Sequence, residues 1–230
     1  MPSELIISGF VLMLMCAGFV VLFLRAFYNK SFVKALIFKG IASLCFVAFG
    51  AMNCFIGDFS YVSLIIFIGL CFGMLGDEII ALCQVFPRKD SAAFVGGGAC
   101  FIVGHILYIL SLFLIGKWSG AVLVMAFAFV ITLSSIYEKK RNFLVGKMKK
   151  PLIMYLGLVL FVCAVTISVF CACGTLGAGL FALGGVFFAI SDNILFAYKL
   201  GEKPKFKQNI ALHIAYYLAQ FSIAWSMALI

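Results

Sequence analysis

Charge is what this sequence has least of. Among 230 residues there are 8 Asp or Glu and 17 Lys or Arg, 11% in all. A soluble domain carries about 25%, which it needs to cover its surface. The shortage argues against a soluble enzyme, a nucleic-acid-binding domain and a disordered chain. Histidine is scarcer still, with only His105 and His213, so a zinc hydrolase with three histidine ligands is not available. The four prolines, Pro2, Pro87, Pro151 and Pro204, sit at ends or in loops, so no apolar stretch is broken in its middle. There is no Gly-x-Ser-x-Gly elbow to raise a nucleophilic serine. The nine cysteines are odd in number and contain no Cys-x-x-Cys pair, so neither a disulfide framework nor a zinc ribbon is indicated, and Cys171-Ala-Cys173 reads as a helix end rather than a metal or redox pair. Most lie in apolar stretches, where cysteine behaves as a small hydrophobe.

What is there is apolar. Hydrophobic residues make up 66% of the chain and the mean hydropathy is +1.23. A membrane-crossing helix needs about 20 such residues. Hydropathy divides the chain into eight spans, 5–24, 35–53, 61–84, 92–114, 119–136, 152–171, 176–198 and 209–229. The expected fold is an all-α polytopic membrane protein, one transmembrane domain over 1–230 with weak halves 1–115 and 116–230. The first span lacks a basic leader and is too long for a signal peptide, so it reads as a mature helix.

The basic residues are sorted. Those in the loops after spans 1, 3, 5 and 7, together with Lys39 just inside span 2, are 16 of the 17; Lys117 alone falls on the other side. The positive-inside rule puts those loops in the cytoplasm and both termini outside. The +9 net charge then faces anionic headgroups rather than nucleic acid.

A few ionisable groups fall within the spans, where each costs about 2.5–3.5 kcal/mol on insertion scales. They are Lys39, Asp77, Glu78, His105, Asp192 and His213. Asp77 and Asp192 sit in the cytoplasmic halves of spans 3 and 7, His105 near the middle of span 4. Phe101, His105 and Tyr108 share one face of span 4, and His213, Tyr216, Tyr217 and Gln220 share one face of span 8. Gly69 and Gly73 lie on the Asp77 side, Gly184 and Gly185 on the Asp192 side, which allows close helix approach. One cavity open to the inner leaflet would hold the polar groups. Glu78 points about 100° away from Asp77 and is expected to meet another neighbour, with Lys39 a candidate ion-pair partner.

The aspartates are 115 residues apart, half the chain. Phe72-Gly-Met-Leu-Gly-Asp77 aligns with Phe187-Phe-Ala-Ile-Ser-Asp192, and His105-x-x-Tyr108 repeats as His213-x-x-Tyr216. Four helices per half preserve orientation, so the pattern points to a 4+4 parallel repeat. Two buried carboxyls suit acid–base work, one protonated and one ionised, as in glycosidases that pass through an oxocarbenium-like state. The same pair could carry protons or cations through a transporter, and a non-catalytic lipid-binding protein is a third reading. Ser191 beside Asp192 is a poor nucleophile, because adjacent helical residues point apart.

At these residues the sequence resembles the YhhN-like family of eight-helix membrane proteins, which includes the lysoplasmalogenases. Gly76-Asp77 looks like its Gly-Asp motif. Phe94, Gly97, Phe101, His105 and Tyr108 look like its Phe-x2-Gly-x3-Phe-x3-His-x2-Tyr pattern. Gly184, Phe188, Ser191 and Asp192 look like Gly-x3-Phe-x2-Ser-Asp, followed by Tyr217, Ala219 and Gln220. Glu78 departs from the family, where an apolar residue is more typical.

The resemblance implies hydrolysis of the vinyl-ether bond of a lysoplasmalogen, a lysophospholipid, to a fatty aldehyde and glycerophospho-ethanolamine or -choline. It implies Asp77 and Asp192 as the catalytic carboxyls. His105, Tyr108, Ser191, His213, Tyr216, Tyr217 and Gln220 would position substrate and water, and Lys39 or loop lysines would meet the phosphate. No metal or organic cofactor is required. The expected location is a bacterial inner membrane, with the site toward the cytoplasmic leaflet.

Overall fold

A computed structural model describes residues 3–57, 59–120, 123, 127, 149–200 and 205–230. Its regular structure is helical. The α-helices are α1 (Ser3–Tyr28), α2 (Phe32–Ile56), α3 (Tyr61–Val85), α4 (Asp90–Ile115), α5 (Lys149–Cys173), α6 (Leu176–Leu200) and α7 (Phe206–Ser226), with a 3₁₀ turn at Pro87–Lys89. Seven of the eight expected spans therefore appear as helices, each end within a few residues of its expected place. The expected span 119–136 lies almost wholly outside the described residues.

Helices prevail because a bilayer offers no water to an unpaired backbone group, so each segment must satisfy its own. Their ends follow local chemistry. The Ser60 hydroxyl accepts from Ser63 N at 3.2 Å and caps α3. The C-terminus of α1 closes with Ser31 N donating to Ala26 O at 2.9 Å and Lys30 N donating to Phe27 O at 3.0 Å. That is a Schellman closure, with Lys30 in the left-handed region (φ 58°) that glycine usually fills. Gly174 (φ +64°) ends α5 by donating to Phe170 O at 2.8 Å. Pro151 falls in the first turn of α5, where a missing N–H leaves no bond unmade.

Six helices, α1 to α6, are long and apolar enough to cross a membrane. The chain is thus a multi-pass membrane protein by length and composition. The last helix stands where a span was expected. Read as a membrane span, α7 falls outside those six. Its sequence carries Asn209, His213, Tyr216, Tyr217, Gln220, Ser222 and Ser226, and all of them are buried. Its other side keeps Ile214 and Leu218 exposed, as α1 exposes Ile7, Leu14 and Val21 in one stripe seven residues apart.

The chain folds as two compact units, one of residues 1–111 with 227–230 and one of residues 112–226. In the first, α1 packs on α2 and α2 on α3, around Phe23, Ala26 and Ala35 at one end and Phe46, Phe49, Ile66 and Leu70 further along. α3 and α4 meet through glycine. A Cβ on Gly76 would lie 2.8 Å from Gly97 O, and one on Gly97 would lie 2.6 Å from Gly76 O, so the two backbones touch. In the second unit α5 packs on α6 and α6 on α7. There a Cβ on Gly184 would lie 2.6 Å from Ile223 Cγ1, and one on Gly185 would lie 2.5 Å from Thr166 Oγ1. Small residues at such contacts let dispersion act between close-packed helices, which is the main attraction available in lipid.

Candidate active site

Each unit buries one carboxyl of the expected pair. In the first, Asp77 lies eight residues before the end of α3 and Lys39 seven residues after the start of α2. At a rise of about 1.5 Å per residue both sit roughly 10–12 Å from those ends, so antiparallel neighbours bring them to one level. Lys39 Nζ is 2.7 Å from Asp77 Oδ1 and donates to the main-chain carbonyl of Asp77 at 3.0 Å. It also lies 5.7 Å from the centre of the Phe23 ring, within cation–π range. Both partners are buried, Lys39 at 3% and Asp77 at 7% exposure. Asp77 Oδ2 is buried and accepts no hydrogen bond among the described residues.

Lys39, expected at a headgroup phosphate or against Glu78, has its ammonium on Asp77, with Glu78 also within its electrostatic reach. Glu78 is set over the bare backbone of Gly40, where an added Cβ would lie 3.5 Å from Glu78 Oε2. Its Oε1 is buried without a hydrogen-bond partner among the described residues.

His105 and Tyr108 lie on one face of α4, as their spacing requires, with ring centres 6.4 Å apart. His105 Nδ1 donates to Phe101 O at 2.6 Å. A carbonyl can only accept, so Nδ1 carries a proton and Nε2 is the nitrogen left for other chemistry. Tyr108 packs on Gly69, where a Cβ would come within 2.5 Å of its ring.

In the second unit the Tyr155 hydroxyl donates to Asp192 Oδ2 at 2.8 Å. Both residues are buried, and the Tyr155 ring is held edge-on to Phe196, centres 5.5 Å apart. The Ser191 hydroxyl donates to Leu212 O at 3.0 Å and ties α6 to α7. His213 Nδ1 donates to Asn209 O at 2.7 Å, the same anchorage one turn back that His105 has. Gln220 Nε2 donates to the Tyr216 hydroxyl at 3.1 Å. Tyr216 stacks edge-on with Phe188 at 5.8 Å and with Tyr217 at 5.1 Å.

Tyr155 is the functional candidate that sequence reasoning missed. A signal existed. The 115-residue step between the aspartates, taken from Lys39, lands on Met154, next to Tyr155. Each aspartate is thus held by a donor from the helix before it, a lysine in one unit and a tyrosine in the other. Ser43, one turn along α2 from Lys39 and near the Asp77 carboxyl, was also missed.

Lysines flank two open grooves at helix ends. One, of about 400 Å³, lies among Lys30, Ser31, Lys34 and Gln84 in the first unit. The other, of about 310 Å³, lies among Asn193, Lys207 and Gln208 in the second. Among the described residues no group of three His, Cys, Asp or Glu side chains is gathered to hold a metal ion.

The profile of the YhhN family matches residues 34–227. The chain belongs to the YhhN family. No curated protein and no solved structure matches it. In this YhhN-family chain the motif residues divide by job. Gly76, Gly97, Phe101 and Tyr108 make the α3–α4 contact, for Phe101 covers Gly76 as Tyr108 covers Gly69. Gly184, Phe188 and Ser191 make the α6–α7 contact.

Proposed function

We propose that this YhhN-family protein is a lysoplasmalogenase: a membrane hydrolase that cleaves the vinyl-ether bond of a lysophospholipid by acid catalysis. The observation that carries the reading is a pair of buried carboxyls, Asp77 and Asp192, each engaged by a donor from the helix before it, Lys39 or Tyr155. Burying such groups in apolar helices is costly, and neither is explained by topology.

The reaction needs two carboxyl tasks. One carboxyl, as general acid, gives its proton to the β-carbon of the vinyl ether, and the C=C electron pair forms the new C–H bond. The α-carbon becomes an oxocarbenium ion, which the other carboxylate stabilises. Water adds to that carbon and loses a proton. The hemiacetal then collapses, the C–O bond breaks, and the glycerol oxygen leaves with a proton as the aldehyde forms. Net consumption is one water. His105 Nε2, Tyr108, Tyr216, Tyr217, Gln220 and His213 are the polar groups for orienting water and ether oxygen. The lysine-flanked grooves suit the phosphate, a task for Lys30, Lys34 or Lys207. The basic loops support a site that opens toward the cytoplasmic leaflet, by the positive-inside rule.

The test is aldehyde release by purified protein from matched vinyl-ether, alkyl-ether and acyl lysolipids. Only the vinyl ether should react, and in ¹⁸O-water the glycerophospho product should keep its original oxygen. Label in the glycerol hydroxyl, or equal turnover of the acyl lipid, would refute the route. Flux of unchanged lipid or solute across vesicles would favour the transporter reading.

A further inference from the structure

We infer that Lys39 is the positioning residue for Asp77, holding one carboxylate oxygen so that the other faces the chemistry. The claim rests on the lysoplasmalogenase reading for its catalytic part, but the clamp itself stands on geometry alone. One buried ammonium makes two contacts with a single residue, Asp77 Oδ1 at 2.7 Å and Asp77 O at 3.0 Å. Side chain and main chain of Asp77 are therefore fastened to the same point, which leaves its χ1 little freedom. The Phe23 face behind the ammonium, 5.7 Å away, fixes the lysine in turn. A flexible four-carbon stem would otherwise sample many rotamers.

The clamp takes Oδ1 and leaves Oδ2, the buried oxygen without a hydrogen-bond partner among the described residues. That oxygen is the one Asp77 can present to a substrate. Holding a reacting group in place is worth much of an enzyme's rate, and a misplacement of about 1 Å can cost on the order of 10²-fold. Lys39 does not touch substrate in this account, and it acts only through Asp77. A lysine that met the phosphate would instead be exposed at the helix end, as Lys30 and Lys34 are.

The experiment is Lys39→Met, which keeps the apolar stem, with Lys39→Arg, Asp77→Asn and the double variant Lys39→Met/Asp77→Asn. Aldehyde-release kinetics and thermal unfolding in detergent are read for each. Lys39→Met should lower kcat about 100-fold with KM within about twofold. Lys39→Arg should recover part of kcat. The double variant should be no slower than Asp77→Asn, and it should melt above Lys39→Met, because the Asp77 carboxylate is no longer left buried without its ammonium. A raised KM with unchanged kcat would make Lys39 a headgroup residue and overturn the proposal. Additive losses in the double variant, or a double variant that fails to fold, would overturn it too. If the wild-type protein releases no aldehyde, the lysoplasmalogenase reading fails by itself. The clamp is then judged on the melting cycle, where absence of coupling between the two substitutions overturns it.

Discussion

Removing one oxygen atom, by Tyr155→Phe, probes the Asp192 side of the site with little other disturbance. The ring stays and keeps its edge-on contact with Phe196 at 5.5 Å, so core packing is retained. What is lost is the 2.8 Å hydrogen bond to Asp192 Oδ2. Tyr155 is 8% and Asp192 2% exposed, so water cannot readily replace the donor. Leaving a buried acceptor short of its partner costs about 1–3 kcal/mol. At about 1.36 kcal/mol per tenfold that is a factor of roughly 5–150. Its share of the fall in kcat depends on how far the bond strengthens between ground state and transition state. The assay pairs aldehyde-release kinetics with thermal unfolding in detergent. The expected result is a lower kcat, a small change in KM and a melting point a few degrees down. Tyr61→Phe is the control, since Tyr61 is 85% exposed, and it should change neither. A Tyr155→Phe protein with wild-type kcat and wild-type melting would refute the reasoning, because the hydroxyl would then hold nothing.

Gly97→Ala should destabilise the first unit, since its methyl would lie 2.5 Å from Ile80 Cγ1 and 2.6 Å from Gly76 O. Overpacking of this kind costs about 1–3 kcal/mol, and a melting point equal to wild type would contradict the close contact. Gly98→Ala has open space around its new methyl and should melt as wild type does. Chelation with EDTA should leave aldehyde release unchanged, because the mechanism routes no step through a metal; loss of activity restored by a divalent cation would contradict that. A reporter fused after Ile230 should lie on the non-cytoplasmic side, and cytoplasmic reporter activity would reverse the orientation drawn from the loop lysines.

The helices were legible because apolar runs and basic loops are written locally. Seven of the expected spans stand as helices for that reason. The polar face of α7 was legible in the same way: His213, Tyr216, Tyr217 and Gln220, which share one side by spacing, are all buried, while Ile214 and Leu218 on the other side are exposed. That the ionisable groups of the helices would be buried was also legible, because a charge in an apolar helix needs a reason. Side-chain partners were not. Lys39 lies within reach of two adjacent carboxyls in sequence logic, and only the level at which α2 crosses α3 selects Asp77. Tyr155 carries no charge and drew no notice, although its hydroxyl is what Asp192 needs. The bond from Ser191 to Leu212 O, which ties α6 to α7, was equally out of reach of the sequence.

The central claim is that two intramembrane carboxyls cleave a vinyl ether. It is tested most directly by aldehyde release from a defined lysoplasmalogen with purified wild type, Asp77→Asn and Asp192→Asn, each shown folded by its thermal melt. The account predicts release by wild type and a loss of at least about 100-fold in each variant, the low end of what a positioned general acid supplies. Near-normal turnover by both folded variants would contradict it.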